Sequence, residues 1–365
     1  MGQLVVAKVG TSSITDGRGE IDVAAIAKFC DEVAERRAAG DQVVVVTSGA
    51  IAAGLPAIGL GDARPADAVT LQAVSAIGQS RLMRVYDECF ASHGLVAGQV
   101  LLAPLDFGIR QQYLHARGTL RRLLELGVVP VVNENDAIAD DEIRFGDNDR
   151  LSALVSQLLG ADLLVLLTDA PGLLTADPRL DESASLIEEV LEVTAELEAV
   201  AGGAGTVRGS GGMASKVAAA KMASWSGVRA VIAAAHREGV LRDAVAGVAG
   251  VGTIVAPRAQ RISARKLWIA FAIESAGRIV VDEGARRALL DRGVSLLPAG
   301  VVAVEGSFQA DQGVEVAGPD GAVFAKGLAR TGAEDLRSVA GSRTVDLPEG
   351  MVHEVIHRDD LVIVP

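Results

Sequence analysis

Cysteine is nearly absent: the 365 residues hold two, Cys30 and Cys89, far apart and each inside a helical pattern. That is too few for a disulfide framework or a zinc site, and both read as buried thiols. Long apolar runs are missing as well. The best candidates, around Leu163 to Leu167 and Val228 to Ala235, stop well short of the roughly 18 residues that span a bilayer. The chain goes directly into Leu4-Val-Val-Ala-Lys-Val9 with no basic leader and no small-residue cleavage site, so a cytoplasmic protein without membrane contact is expected. An excess of positive charge is the third thing lacking. With 34 Lys and Arg against 47 Asp and Glu, a net of −13, the chain is not a general polyanion binder. A few focused lysines still suffice for a nucleotide.

What is present is the composition of an α/β protein, half apolar and rich in glycine, at a length that implies two domains. Several apolar strand patterns end in polar tips. Leu4 to Val9 runs into Gly10-Thr-Ser-Ser13, and Gln42-Val-Val-Val-Val-Thr47 into Ser48-Gly49-Ala50. Val128-Val-Pro-Val-Val132 runs into Asn133-Glu-Asn-Asp136, and Asp162-Leu-Leu-Val-Leu-Leu-Thr168 into Asp169. Apolar runs of this kind are buried strands of a parallel sheet, and four polar tips describe a crevice at its carboxyl edge.

Within those tips, Lys8 sits inside an apolar strand, where an ammonium needs an anion. Its spacing fits either a phosphate contact or a snorkelling edge lysine. Ser48 fits either a substrate contact or a plain N-cap. A second polar cluster, Gly146-Asp-Asn-Asp-Arg150, precedes a helix expected to begin at Arg150, with Asp147 as its cap. Together the two clusters suit an ammonium, a metal ion, or lysines held in place. Residues 137–145 between them read as a hairpin lid.

Further on, Gly202 to Gly212 is glycine-rich and leads into a helix, Met213 to Ser226, with Lys216 in its first turn. Backbone N–H groups, helix dipole and one ammonium make an anion cradle. It is not a Walker A loop, because Ser215 and Val217 stand where glycine and Ser or Thr belong. Gly209, Gly211 and Ala214 fit the dinucleotide spacing, but the preceding strand and the following acid are missing.

Pro257 to Trp268, with Arg258, Arg261, Arg265 and Lys266, reads as a basic connector. The domains are therefore expected at 1–257 and 276–365, joined by a linker over 258–275. The tail shows short strands and one helix, Glu283 to Asp291. It carries nine Lys and Arg against fourteen Asp and Glu, a net of −5.

Taken together, Lys8-Val-Gly-Thr-Ser12, Thr47-Ser-Gly-Ala-Ile-Ala-Ala-Gly54, Val132-Asn-Glu-Asn-Asp136, Gly146-Asp-Asn-Asp149, Leu167-Thr-Asp169, Thr175-Ala-Asp-Pro178 and Gly209-Ser-Gly-Gly-Met-Ala-Ser-Lys216 resemble the glutamate 5-kinases. The tail, through Val281-Asp-Glu-Gly-Ala285 and Ser295-Leu-Leu-Pro298, is similar to a PUA domain. The resemblance covers essentially the full length. It implies an open, mainly parallel sheet of the amino acid kinase type flanked by helices, and a small β-rich PUA-like barrel.

As activity, it implies transfer of the ATP γ-phosphoryl group to the side-chain carboxylate of L-glutamate, giving L-glutamyl 5-phosphate and ADP, the first step of proline biosynthesis. Mg2+ as cofactor, proline as inhibitor and a homo-oligomer, dimer or tetramer, come with it. By position, Lys8, Lys216 and Asp149 are its catalytic residues, and Ser48, Gly49, Asp136 and Asn148 bind glutamate. Lys8, Thr168, Asp169, Ser210, Gly211, Gly212, Met213, Ala214, Ser215 and Lys216 bind ATP. No magnesium ligand is assigned. Ser210 and Ser215 stand where the family has threonine, and Ala214 where it has serine. Another carboxylate or carbamate kinase of the same fold is the neighbouring reading. An RNA-associated regulator working through the tail is the distant one, and the acidic tail argues against RNA binding.

Overall fold

The computed structural model describes all residues except 1, 61–64, 139–147, 180, 182, 203–211, 260, 272, 348–352 and 365. The chain divides into two compact units, Met1–Arg261 and Ile262–Pro365. In the first, eight strands form one sheet: β1 (Leu4–Val9), β2 (Gln42–Thr47), β3 (Ala97–Leu102), β4 (Val129–Glu134), β5 (Leu163–Thr168), β6 (Glu189–Val190), β7 (Arg229–Ala234) and β8 (Thr253–Val255). Their order is β3-β4-β2-β1-β5-β7-β8-β6, parallel throughout except where β7 meets β8.

The helices of this unit are α1 (Val23–Ala38), α2 (Ala50–Gly54), α3 (Ala68–Ala91), α4 (Arg110–Glu125), α5 (Asn148–Leu159), α6 (Ala195–Gly202), α7 (Met213–Trp225) and α8 (Val240–Ala246). They cover both faces of the sheet, as a parallel sheet requires. Alternation along the strands assigns the faces. Val5, Ala7 and Val9 of β1, with Val43, Val45, Val129, Val131 and Leu163, join one core with Ile26, Phe29, Leu82, Tyr86 and Leu241 from α1, α3 and α8. Lys8, out of phase with them, emerges on the opposite face, where α5 packs against β1 and α7 against α5. The period-two pleat thus aims the one ammonium of β1 at two helix N-termini.

The helix expected from Arg150 begins two residues earlier, so Asn148 and Asp149 belong to its first turn. The cap reading of Asp147 lies outside the described residues. The shorter elements β6, α6 and α8 occupy stretches for which the sequence pattern above assigns no element.

In the second unit, β9 (Ser275–Val281), β10 (Val301–Gly306), β11 (Gly313–Ala317), β12 (Val323–Leu328) and β13 (Leu361–Ile363) pair in the order β10-β9-β11-β12-β13. The strands expected as a small barrel form one mixed sheet with β10 and β13 at its two ends. α10 (Glu283–Arg292) starts at its cap Asp282, whose Oδ1 accepts from Ala285 N at 2.7 Å, and stops at Gly293; α11 (Ala333–Val339) packs against β10. Ile279, Val281, Phe308, Val316, Leu336 and Ile356 fill the core. The segment expected as a linker contains α9 (Ala264–Phe271), which packs against β12 and β13 within this unit.

Candidate active site

β1 lies between β2 and β5, where the strand order reverses, and the carboxyl ends of β1, β2, β4 and β5 open into a common cleft of about 1370 Å³. Open α/β sheets place ligands at such a switch point. Pockets for one small molecule run to roughly 1,000 Å³ at most, so this cleft has room for two substrates.

At its base three charges meet. Lys8 Nζ lies 2.5 Å from Asp149 Oδ1, and Lys216 Nζ lies 3.2 Å from Oδ2 of the same carboxylate. Ser215 Oγ donates to that Oδ2 at 2.6 Å, and its oxygen also lies 2.8 Å from Gly212 O. All three charged side chains are at most 6% exposed, and Lys8 and Lys216 border the cleft. Burial alone pushes the Asp149 carboxyl up. The Lys8 and Lys216 charges, with hydrogen bonds from Lys8 and Ser215, overcome it and hold the group down at about 2. The group is ionised throughout the neutral range.

A second group of polar residues stands on the β2–β4 side. Asn148 donates from Nδ2 to Ser48 Oγ at 3.1 Å, and its Oδ1 accepts from Glu134 N at 3.2 Å. One amide thereby ties the tips of β2 and β4 together. Gly49 follows with φ of 93°, the left-handed region that glycine enters freely, and starts α2 with its N–H groups at the cleft. Asp136, nearly buried, accepts at Oδ2 from Ser75 Oγ at 2.5 Å. Burial raises its pKa, and the Ser75 hydrogen bond offsets this in part.

On the β5 side, Thr168 and Asp169 line the cleft, with Thr168 Oγ1 donating to Asp169 Oδ1 at 3.0 Å. Gly212 caps α7, and Met213 joins the lining. Ala214 faces solvent on the first turn of α7. Ser215, expected at ATP, turns its hydroxyl to Asp149. Ser210 and Gly211, and residues 139–145 of the expected lid, lie outside the described residues; Asp136–Ile138 is a single 3-10 turn.

The sequence reading missed Ser75, the Ser215–Asp149 hydrogen bond, and a hairpin around the Thr15–Ile21 bridge that brings Asp16, Arg18 and Glu20 to the cleft. The turn residues Asp16, Gly17 and Gly19 could have revealed the hairpin. Nothing in the neighbourhood of Ser75 marks it.

The chemistry of the donor set also bears on magnesium. Among the described residues no group of three or more His, Cys, Asp or Glu could hold a metal ion, and both oxygens of Asp149 face ammonium groups. With both of its oxygens facing ammonium groups, Asp149 fits the role of holding the lysines, and Mg2+ would enter with the nucleotide phosphates.

Residues 3–234 match the amino acid kinase family, and residues 277–351 match the PUA domain. The Giardia lamblia carbamate kinase solved with AMP-PNP shares the fold, at a TM-score of 0.50 and 18% identity, covering 70% of this chain and 99% of that one. Over its whole length the chain is similar to the glutamate 5-kinase of Pelobacter propionicus, 45% identical over 363 residues, which are 98% of this chain and 97% of that protein. That of Citrifermentans bemidjiense is 46% identical over 364 residues, again 98% and 97%. The chain belongs to the amino acid kinase family and, within it, to the glutamate 5-kinases.

Proposed function

We propose that this chain transfers the γ-phosphoryl group of ATP to the side-chain carboxylate of L-glutamate, with L-glutamyl 5-phosphate and ADP as products. The observation that carries the reading is the buried Lys8–Asp149–Lys216 cluster at the base of a cleft wide enough for both substrates. A carboxylate oxygen of glutamate attacks the γ-phosphorus, and the bond from that phosphorus to the β,γ-bridging oxygen breaks, leaving ADP with the electron pair. The acceptor is ionised at neutral pH and needs no general base. The protein therefore supplies positioning and charge. Lys8 and Lys216 offset the charge on the transferring group and on the leaving oxygens, while Asp149 keeps both ammoniums in place and unable to repel each other outward. Mg2+, when bound with ATP, neutralises further phosphate charge.

In this reading Thr168, Asp169 and the stretch from Ser210 to Lys216 hold the nucleotide. The N–H groups after Gly49 and the side chains of Ser48 and Asn148 take up a carboxylate of glutamate, and Asp136 takes its ammonium. Proline inhibition at the glutamate side, a homo-oligomer and a cytoplasmic location in proline biosynthesis follow from the same reading, and the PUA-like unit is given no part in the chemistry.

The test is ADP release from the full chain with ATP and Mg2+ across L-glutamate, L-aspartate, N-acetyl-L-glutamate and carbamate, with hydroxylamine to trap an acyl phosphate. Turnover with L-glutamate, accompanied by hydroxamate and suppressed by proline, is the expected result. Turnover with another acceptor in its place would overturn the substrate assignment.

A further inference from the structure

The acceptor side of the cleft is held by α3, which contributes none of the substrate-binding motifs. α3 crosses α2 without clearance: a Cβ on Gly78 would lie 1.7 Å from Ala50 O, and one on Gly54 would lie 2.1 Å from Val74 O. Ala50 opens α2 directly after Ser48 and Gly49, so the backbone offered to the substrate cannot shift unless α3 shifts with it. From the same stretch of α3, Ser75 reaches Asp136 as described above, and Gln79 Oε1 accepts from Gln99 Nε2 at 3.2 Å.

The direction of the Ser75 hydroxyl is informative. A serine within a helix ordinarily satisfies itself on a carbonyl of the preceding turn. Ser80, Ser152 and Ser156 do so here, bonding to Ile77 O, Asp149 O and Ser152 O. Ser75 is 1% exposed, yet its hydroxyl is directed away from its own helix to a carboxylate 61 residues distant in sequence. That bond fixes one oxygen of Asp136 while the residue still borders the cleft.

We propose that Ser75 is a positioning residue for the acceptor amino acid, orienting the Asp136 carboxylate so that its cleft-side oxygen meets the substrate ammonium. The inference rests on the reading of Asp136 as the ammonium partner. It makes α3 a shared support that sets both the ammonium contact and the α2 backbone, and hence how far the acceptor side chain reaches toward Lys8 and Lys216. The serine contributes no atom to the reaction, so its removal acts on glutamate and not on ATP.

The experiment measures kcat and both KM values in the purified full chain for S75A, S75C, S75T, D136N and the double variant S75A/D136N, with thermal melts as a check on folding. A lost hydrogen bond to a charged group should raise the glutamate KM about tenfold in S75A, with the ATP KM changed less than about twofold. S75C, similar in size but a weak donor, should behave like S75A, while S75T, which keeps the hydroxyl, should restore most of the affinity. Adding S75A to D136N should change nothing further, because the two act as one unit. Unchanged glutamate KM in S75A, or equal rises in both KM values, would overturn the positioning role while leaving Asp136 in place if D136N is impaired. Normal glutamate KM in D136N would overturn the Asp136 reading and this inference together.

Discussion

The two ends of the cleft each depend on a buried aspartate, and the two are treated in opposite ways. Asp149 at the phosphoryl end has its charge compensated within the protein by two lysines and is held at about 2. Among the described residues Asp136 at the acceptor end meets one hydroxyl, and burial raises its pKa. An aspartate compensated in the free protein is a fixed part of the framework. One left under-compensated gains most from a cation that arrives with a ligand, which is what an amino-acid ammonium brings. The difference separates the part of the site that organises charge from the part that waits for it.

The largest effect expected is at Asp149. D149N leaves two buried ammoniums without their shared counterion, so the fold should lose about 3 to 5 kcal/mol and turnover should vanish together. A chemical-denaturation curve beside a rate assay checks this, and a stable, active variant would remove the distinction between the two ends. K8M and K216M come next. Each should slow kcat by roughly a hundredfold, about 3 kcal/mol of transition-state stabilisation, with the fold intact by circular dichroism.

At the other end, D136N should raise the glutamate KM about tenfold to a hundredfold with kcat at saturation much less affected. The pH response of the two ends should also differ in sign. Asp149 is depressed relative to its unfolded value of about 3.9, so its contribution to stability is present above that pH and is lost only as pH falls toward 2. Asp136 is raised, so the free protein binds a proton more tightly folded than unfolded. Its contribution is present below the unfolded pKa and is lost as pH rises through the folded one. Added glutamate should reverse that trend by pairing the charge; melting temperatures across pH 4 to 7, with and without glutamate, measure it. The smallest effect is expected for G49A, which forces a Cβ onto a backbone with φ of 93° and within 3.0 Å of Ile14 Cδ1. A cost of about 1 kcal/mol, seen as an increase of about fivefold in glutamate KM, is anticipated.

The strand tips were legible because a buried run of Val and Leu ending in polar residues has few other uses. That is how Lys8, Ser48, Asp136 and Asp169 stood out. The lysine of α7 was legible because a glycine run before a helix advertises its free N–H groups. Other features were silent for physical reasons. α9 carries Arg265 and Lys266 beside Leu267 and Ile269, and over eight residues the charges masked its apolar face. α6, α8 and α11 are as short, with too few turns for a helical period to register. Ser75 is one of several hydroxyls in a long helix, and its partner is identified only when α3 is laid against the end of β4. Contacts between residues 61 positions apart belong to the tertiary fold and leave no local trace.

α5 has one further consequence. Ten of its twelve residues are buried, and it packs against β1, β2, β4, β5 and α7 at once. Its amide protons should therefore exchange with solvent only when the whole unit opens, among the slowest in the chain. The carboxylate that orders both lysines is mounted at the start of this helix. The charge at the base of the site is thereby registered to the sheet through every turnover.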